Sequence, residues 1–222
     1  PLCLCSVNLF LNLLMPLCRL FRSVRNIYLA DINEADRIVR RYQHVHPKGF
    51  SKYNVETADQ RLDRPGISFI PSLRISETAD KIVESFFPLN DERKIVTITL
   101  RTYDYIQSRN SDLESWIEFA ASLNSLDYRV VFIPDASASG VRSMEQLKGF
   151  EVFDAACWNI GLRAAIYSRA WMNIGVACGP LVISALTDNV RTVMIDRTLD
   201  YPKAYAENLI SAGHFPGKVP NF

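Results

Sequence analysis

The sequence has 222 residues, of which 48% are hydrophobic and 22% are charged. This length and apolar content predict a folded chain with a substantial core. Lys and Arg number 25 against 24 Asp and Glu, so no overall charge attracts the chain to nucleic acid or to an anionic membrane. Nucleic acid is therefore not an expected partner.

The cysteines and histidines argue against a metal site. Neither the five cysteines nor the three histidines show the paired spacing of zinc ligands. Five cysteines are also few for a disulfide scaffold of this size, which predicts a reducing compartment and a cytoplasmic location. We expect no bound metal and no cofactor.

The N-terminal part begins with an apolar segment. Residues 8–21 predict a core helix, residues 26–30 a short buried strand, and residues 33–42 a helix capped by Asp31 or Asn33. Polar residues interrupt the apolar segment and arginines follow it, which argues against a membrane span and against a signal peptide. The segment fits either a core helix or an interfacial anchor with weak membrane association.

A polar stretch separates this part from the rest of the chain. Residues 43–74 contain three prolines and two glycines and show no sustained period, which predicts a linker or an irregular crossing between domains. The predicted division is a remnant of an N-terminal α/β domain at residues 1–45, a linker at 46–75 and a C-terminal domain at 76–222.

The C-terminal part alternates between strands and helices. Ser111 with Glu114 predicts a capping box at the start of one helix. Repeated alternation with short connections predicts an α/β fold, a Rossmann-like parallel sheet with helices on both faces. The predicted strands are residues 94–100, 129–133, 151–153, 171–176 and 190–195. The predicted helices are residues 76–87, 111–126, 159–169, 180–186 and 201–211.

Ligands bind such sheets beyond the carboxyl ends of the strands, so the loops after residues 100, 133 and 176 are the places to search. Arg101 follows the first of these strands directly, and Arg109 and Asn110 precede the next helix. A guanidinium at a strand end suits a bidentate contact with a phosphate or carboxylate. The alternative is a surface ion pair with Asp104 or Asp112.

A small-residue turn follows the strand at residues 171–176. Its glycine allows close approach to the backbone, and the amides of Leu181 and Val182 are expected to point outward at a helix start, where they would bind a phosphate. The alternative is a turn that serves packing only. The candidate binding residues in this segment are Asn173, Cys178, Gly179, Pro180 and Leu181.

Arg163 is the lone charge on an otherwise apolar helical segment. It is either a buried strut to a carboxylate such as Asp154 or a contact to a ligand phosphate. The helical spacing of Trp158, Leu162 and Ile166 predicts that all three belong to the core.

Asp135 follows the strand at residues 129–133. It either accepts hydrogen bonds from a ribose or a base, or it serves the turn alone. No GxGxxG sequence follows a predicted strand, which argues against a dehydrogenase.

Several short strings occur in an order that resembles a known fold family. KIVTITLR, RNSDLESW, YRVVFIPD, LRAAIYSRAWMNIGVACGP and VRTVMID follow one another between residues 94 and 196. This order resembles the C-terminal domain of GT-B-type glycosyltransferases, in particular heptosyltransferase-like and fucosyltransferase-like proteins. The resemblance implies a GT-B half together with a remnant of a second domain.

The resemblance also implies an activity, the transfer of a sugar from a nucleoside-diphosphate sugar to a glycan or similar acceptor. Arg101 would be the catalytic residue that neutralises the diphosphate, the turn at residues 178–181 would offer backbone amides, and Asp135 would lie near the nucleoside. No metal would be needed.

Two departures from the family pattern limit this transfer of roles. The string ACGPLV lacks the acidic residue and the histidine of the heptosyltransferase pattern, and only residues 1–45 are available for an N-terminal domain that would carry the general base. A truncated enzyme is therefore expected. The alternative is a non-catalytic nucleotide- or sugar-binding module.

Overall fold

The computed structural model describes residues 10–28, 30–42, 73–87, 91–103, 107–135, 145–187 and 190–195. A π-helical turn at Phe10–Leu14 leads into helix α1. The helices are α1 (Met15–Leu20), α2 (Ile32–Val39), α3 (Glu77–Phe86), α4 (Leu113–Ser125), α5 (Ala155–Trp158), α6 (Ile160–Arg169) and α7 (Gly179–Ala185). The strands are β1 (Lys94–Thr99), β2 (Tyr128–Ile133), β3 (Glu151–Val152), β4 (Met172–Val176) and β5 (Thr192–Ile195).

The strands form one five-stranded parallel sheet in the order β3-β2-β1-β4-β5. In the register of the central strand β1, Thr97 pairs with Val131 of β2 and with Asn173 of β4. The chain runs outward from β1 through β2 to β3 and then returns to the other side of β1 as β4. The sheet order therefore reverses between β1 and β4, which is where open α/β sheets hold their ligands.

The central strands are buried on both faces because their side chains alternate between two apolar clusters. Val131 and Ile133 of β2 face the cluster that contains most of α6, whereas Val130 and Phe132 face the cluster that contains Trp116 of α4. Continuous runs of β-branched and aromatic residues are what a strand covered on both faces requires. The predicted Rossmann-like sheet with helices on both faces is confirmed.

Helix α1 packs on the same core as the sheet. Leu20 is 6% exposed and belongs to the cluster that contains α6. The backbone amide of Arg74 donates to the carbonyl oxygen of Leu20 at 2.6 Å, and Phe21 forms an antiparallel bridge with Leu73. The apolar N-terminal segment thus contributes to the core of the sheet domain, and the predicted helix in this segment is confirmed. The division into domains stays a prediction.

The strand predicted for residues 26–30 is wrong. Residues 26–28 and 30 have no strand conformation, and the side chain of Tyr28 is 63% exposed. A short apolar run becomes a strand only when a neighbour supplies hydrogen bonds, and no described strand lies beside it. The helix that follows is capped as predicted, because Asp31 Oδ1 accepts hydrogen bonds from the amides of Asn33 and Glu34.

The predicted capping box at Ser111 is also wrong. Helix α4 begins at Leu113 with Asp112 as its N-terminal cap, and no side chain bonds to the free amides of its first turn. The hydroxyl of Ser111 instead accepts a hydrogen bond from the amide of Arg101 at 2.9 Å, which ties the loop to the end of β1. Residues 43–72 of the predicted linker and the predicted helix at 201–211 lie outside the described residues.

Candidate functional site

The candidate site lies at the carboxyl edge of the sheet, where the loops after β1, β2 and β4 meet. The loop after β1 carries Arg101 and ends in a 3-10 turn at Gln107–Arg109. The loop after β2 carries Asp135, and the loop after β4 leads through Ala177 and Cys178 into α7. Parallel strands bring these three loops to one edge, as the sequence predicts.

Arg101 is held firmly at the end of β1. Its side chain is buried, with 9% of the residue exposed, and its Nη1 donates to Asn110 Oδ1 at 2.6 Å. Its backbone is bound twice to Ser111, because its amide donates to the Ser111 hydroxyl and its carbonyl accepts from the Ser111 amide at 2.8 Å. A guanidinium fixed in this way loses little conformational entropy when it binds an oxyanion.

Asn110 closes the loop that carries Arg101. Its Oδ1 accepts from Arg101 and from the amide of Tyr103 at 3.0 Å, while its Nδ2 donates to the carbonyl of Tyr103 at 2.9 Å. Both ends of the side-chain amide are therefore engaged in the loop. The Asn110 side chain thus holds Arg101 in the loop, and its direct contact with a substrate stays a prediction.

Arg109 and Asp135 connect the neighbouring loops. Nη2 of Arg109 donates to the carbonyl oxygen of Ala177 at 3.2 Å, which joins the loop after β1 to the loop after β4. Oδ2 of Asp135 accepts from the amide of Thr102 at 3.1 Å, which joins the loop after β2 to the loop after β1. These two bonds fix the three loops against one another around Arg101.

Two positive charges lie close together at this edge. Burial lowers the pKa of the Arg101 guanidinium below its usual value, and the nearby charge of Arg109 lowers it further. An arginine remains protonated despite such a shift. The like charges repel each other, so a bound anion would stabilise both and relieve an unfavourable interaction of the free protein.

Arg163 projects from α6 and is 5% exposed. Its Nε donates to the carbonyl oxygen of Ala156 at 2.8 Å, and its Nη1 donates to the hydroxyl of Tyr167 at 3.2 Å. Among the described residues, no carboxylate lies within 4.0 Å of this guanidinium, so the strut to Asp154 that the sequence offered as one alternative is wrong. Only neutral oxygens accept from this buried cation.

The turn between β4 and α7 does not present its amides as predicted. The amides of Leu181 and Val182 both donate to the carbonyl oxygen of Cys178, at 3.1 Å and 3.3 Å. The side chain of Leu181 is fully buried and serves the core. Leu181 is therefore not a donor to a ligand, because a helix that begins with a tight first turn satisfies these amides internally. Gly179 and Pro180 do lie at the site, since both line a cavity.

Asn173 is the predicted binding residue that the structure places away from the site. It is fully buried in β4, where its Oδ1 accepts from the Thr97 hydroxyl at 2.5 Å. Its Nδ2 donates to the carbonyl oxygens of Tyr167 and Arg191, at 3.1 Å and 3.4 Å. The side chain links neighbouring strands and is inaccessible to a ligand, so we leave it out of the candidate site.

A cavity of about 600 Å³ opens beside the three loops. This volume lies within the range of small-molecule sites. Most of its wall is aliphatic or aromatic, and Asp135 and Arg163 are its charged residues. The lining residues are Asn12, Leu13, Leu17, Asp135, Ala156, Cys157, Trp158, Ile160, Arg163, Gly179, Pro180 and Ile183.

Trp158 was predicted to be a core residue, but it lines the cavity instead. It is 64% exposed, whereas Leu162 and Ile166, predicted with it, are buried. Trp158 ends α5, and Asn159 adopts an extended conformation before α6 begins, so the helical spacing does not continue across Asn159. Sequence reasoning also missed Tyr167, whose role depends on a contact with Arg163 one helical turn earlier.

Burial makes the two cysteines at the site poor nucleophiles. It raises the pKa of Cys157 to about 11 and raises the pKa of Cys178 as well. Thiols with such pKa values are protonated at neutral pH and react slowly.

Within the described ranges, no cluster of His, Cys, Asp and Glu is arranged to hold a metal ion. No described helix is both long enough and apolar enough to cross a membrane.

Together, the sheet order, the two covered faces and the loops at the carboxyl edge define a Rossmann-like α/β protein. No family model matches the chain, and no curated protein matches it. Among solved structures, a glycosyl transferase family 9 protein from Veillonella parvula DSM 2008 is similar over 57% of this chain, with 13% identity and a TM-score of 0.44.

A second similar structure is the ADP-heptose LPS heptosyltransferase II of E. coli. It has 15% identity over 68% of this chain and a TM-score of 0.46. The chain spans 42% of the length of the Veillonella protein and 56% of the length of the E. coli protein. One of these structures is a glycosyl transferase and the other a heptosyltransferase.

Proposed function

We propose that this chain supplies the donor-binding half of a glycosyltransferase, which moves a sugar from a nucleoside-diphosphate sugar to a glycan or similar acceptor. The observation that carries the proposal is the pair Arg101 and Arg109 at the point where the sheet order reverses. Their charges lie close enough for Arg109 to lower the pKa of Arg101. A diphosphate is the small-molecule group that best matches two adjacent guanidinium groups.

Arg101 has the catalytic role in this proposal. When the bond between the sugar and the diphosphate breaks, the departing nucleoside diphosphate gains negative charge, and Arg101 stabilises that charge. Asn110 holds the guanidinium in place through its 2.6 Å hydrogen bond. Because guanidinium groups neutralise the leaving group, the proposed reaction is metal-independent. Asp135, at the end of β2, is the proposed neighbour of the nucleoside.

A non-catalytic module that binds a nucleotide sugar is a second candidate. One observation favours it: among the described residues that line the cavity, Asp135 is the only carboxylate, and it already accepts a hydrogen bond from Thr102. A transferase needs a base for the acceptor hydroxyl, and this carboxylate is engaged in holding two loops together. Donor binding without sugar transfer by the protein in which this chain occurs would favour the module.

The cytoplasm is the proposed compartment. The thiols of Cys18, Cys157 and Cys178 are free. Two of them lie at the site itself. A reducing compartment keeps such thiols unpaired.

The test measures the melting temperature with ADP, GDP, UDP and CMP and with their sugars. A ligand at 100 times its dissociation constant stabilises the folded state by about 2.7 kcal/mol, which raises the melting temperature by several degrees. We expect one nucleotide diphosphate to produce such a shift and Arg101→Ala to abolish it. Lys94→Ala is the matched control, because Lys94 lies exposed at the opposite end of β1 and should leave the shift unchanged.

An Arg101→Ala variant that keeps the full shift would contradict the proposed donor site. A shift that Lys94→Ala reduces as strongly as Arg101→Ala would also contradict it, because the effect would then reflect overall charge rather than a site. If no nucleotide produces a shift, this chain does not bind the donor as proposed.

A further inference from the structure

The cavity wall contains a buried cation, Arg163, that has no counter-ion among the described residues. Arg163 is 5% exposed and lines the cavity, and its two described hydrogen bonds go to the neutral oxygens of Ala156 and Tyr167. A guanidinium has five N–H donors, and the described hydrogen bonds of Arg163 use Nε and Nη1, which leaves Nη2 for a ligand. Burying an arginine in this way is costly unless an anion completes the site.

Apart from Asn12 and Asp135, the side chains that line the rest of the cavity are apolar or weakly polar. Leu13 and Leu17 come from the N-terminal helical segment, and Ile160 and Ile183 come from α6 and α7. Trp158, which is 64% exposed, adds a large aromatic surface. A nucleobase would need hydrogen-bonding groups on its edge, whereas these side chains offer only apolar contact.

Asp135 is the one carboxylate in the wall, and it does not neutralise Arg163. Its Oδ2 accepts from the amide of Thr102, and its charge acts on Arg101, whose pKa it raises against the effect of burial. The charge of Asp135 therefore acts on Arg101, which does not line the cavity, while Arg163 has no counter-ion among the described residues.

We infer that this cavity binds an amphipathic oxyanion, an aliphatic chain that ends in a phosphate or carboxylate, with the anionic group on Arg163 and the chain along Leu13, Leu17 and Trp158. Leu13 favours an aliphatic body, because it lines the cavity and is 41% exposed. This ligand uses a different arginine from the nucleotide of the proposed function, which would approach Asp135 from the side of Thr102 and Arg101.

The test titrates the protein with octyl phosphate and with octanoate below their aggregation concentrations, by calorimetry and by tryptophan fluorescence. We expect both to bind, and octanol, which has the same chain without the charge, to bind at least about tenfold more weakly. Arg163→Met should lower the affinity for octyl phosphate by at least about tenfold. Arg163→Lys, which keeps the charge, should retain part of that affinity.

Arg169→Met is the matched control on the same helix. The guanidinium of Arg169 pairs with Asp80 at 2.6 Å and with Glu84 at 3.2 Å, so it already has counter-ions. Its loss should leave the affinity for octyl phosphate unchanged. Trp158→Phe should remove most of the fluorescence change on binding, since Trp116 and Trp171 do not line the cavity.

Two measurements with adenosine monophosphate distinguish this ligand from a nucleotide. Adenosine monophosphate should neither displace octyl phosphate nor bind with an affinity that depends on Arg163. Displacement by adenosine monophosphate would overturn the inference, because the cavity would then be a nucleotide pocket. Equal affinity of Arg163→Met and the wild type for octyl phosphate would overturn it as well. Arg101→Ala should leave octyl phosphate binding intact, so failure of the donor proposal and failure of this one give different results.

Discussion

The hydroxyl of Tyr167 accepts a hydrogen bond from Nη1 of Arg163 at 3.2 Å. The same hydroxyl lies 2.8 Å from the Thr99 hydroxyl at the end of β1, and Tyr167 is fully buried. One phenol therefore connects the guanidinium in the cavity wall to the strand that precedes Arg101. Buried hydrogen-bond networks of this kind restrict their members to a single arrangement.

Replacing Tyr167 by Phe should reduce the free energy of unfolding by about 1–3 kcal/mol, because it leaves the Thr99 hydroxyl and an N–H of buried Arg163 without a partner. Urea denaturation measures the loss. Tyr128→Phe is the control: Tyr128 contacts Trp171 through its ring, and its hydroxyl makes no hydrogen bond to a described residue. A loss from Tyr128→Phe equal to that from Tyr167→Phe would contradict the network.

Gly175 is required where β4 approaches β1. A Cβ at this position would lie 2.5 Å from the carbonyl oxygen of Thr99 and 3.3 Å from Leu181 Cδ2. Gly175→Ala should therefore destabilise the fold by about 1–3 kcal/mol, because the strands cannot move apart without loss of packing. Gly179→Ala is the matched control, since nothing lies within 4 Å of a Cβ there. Thermal unfolding of both variants measures the difference. Equal melting temperatures would contradict the requirement for glycine at position 175.

The free energy of unfolding should fall in acid because Asp91 becomes protonated. The hydrogen bond from the Arg93 side chain lowers the pKa of Asp91 to about 2, helped by the Arg93 amide. The pKa of Asp91 in the folded protein lies below the ordinary value of about 3.9. The stabilisation by its ionised carboxylate is therefore complete above about pH 4 and disappears as the pH falls towards 2. Wild type should be more stable than Asp91→Asn at pH 6, and the difference should shrink towards pH 2. A difference that stays constant across this range would contradict the assignment.

Cys157 should react slowly while the protein is folded. Burial raises its pKa to about 11, and its thiol donates a hydrogen bond to the carbonyl oxygen of Pro134 at 2.9 Å. At pH 7.5 its alkylation by iodoacetamide should be more than about a hundredfold slower than in denaturant, where the thiol regains its ordinary pKa. Mass spectrometry of the alkylated peptides measures this. Comparable rates in the folded and unfolded states would show that the thiol is not protected.

Most of the fold could be predicted from the sequence, because apolar runs and helix caps depend on residues close together in the chain. The apolar runs at residues 94–100 and 129–133 became β1 and β2, because a run covered on both faces must lie inside a sheet. The cap at Asp31 was predictable for the same reason, since its side chain bonds to amides two and three residues later. The strand predicted at residues 26–30 failed because pairing is not a local property.

The site was harder to predict because its contacts are distant in sequence. Arg101 was placed correctly at a strand end, but Ser111 was assigned to a helix cap when its hydroxyl bonds to the Arg101 amide. The amides of the α7 turn were predicted to face a ligand, and only the geometry of the turn reveals that Cys178 accepts from them. Asn173 stands in a segment that leads to the site, yet the alternation of β4 directs it into the core.

Isothermal titration of a nucleoside diphosphate and of the matching monophosphate tests the donor site most directly, with the nucleotide chosen by the thermal-shift panel. Wild type should bind the diphosphate at least about tenfold more tightly, since the second phosphate adds a charge-assisted contact to Arg101. Arg101→Ala should bind both nucleotides with nearly equal affinity. If Arg101→Ala keeps the full preference for the diphosphate, Arg101 does not contact the diphosphate and the proposed donor site is wrong.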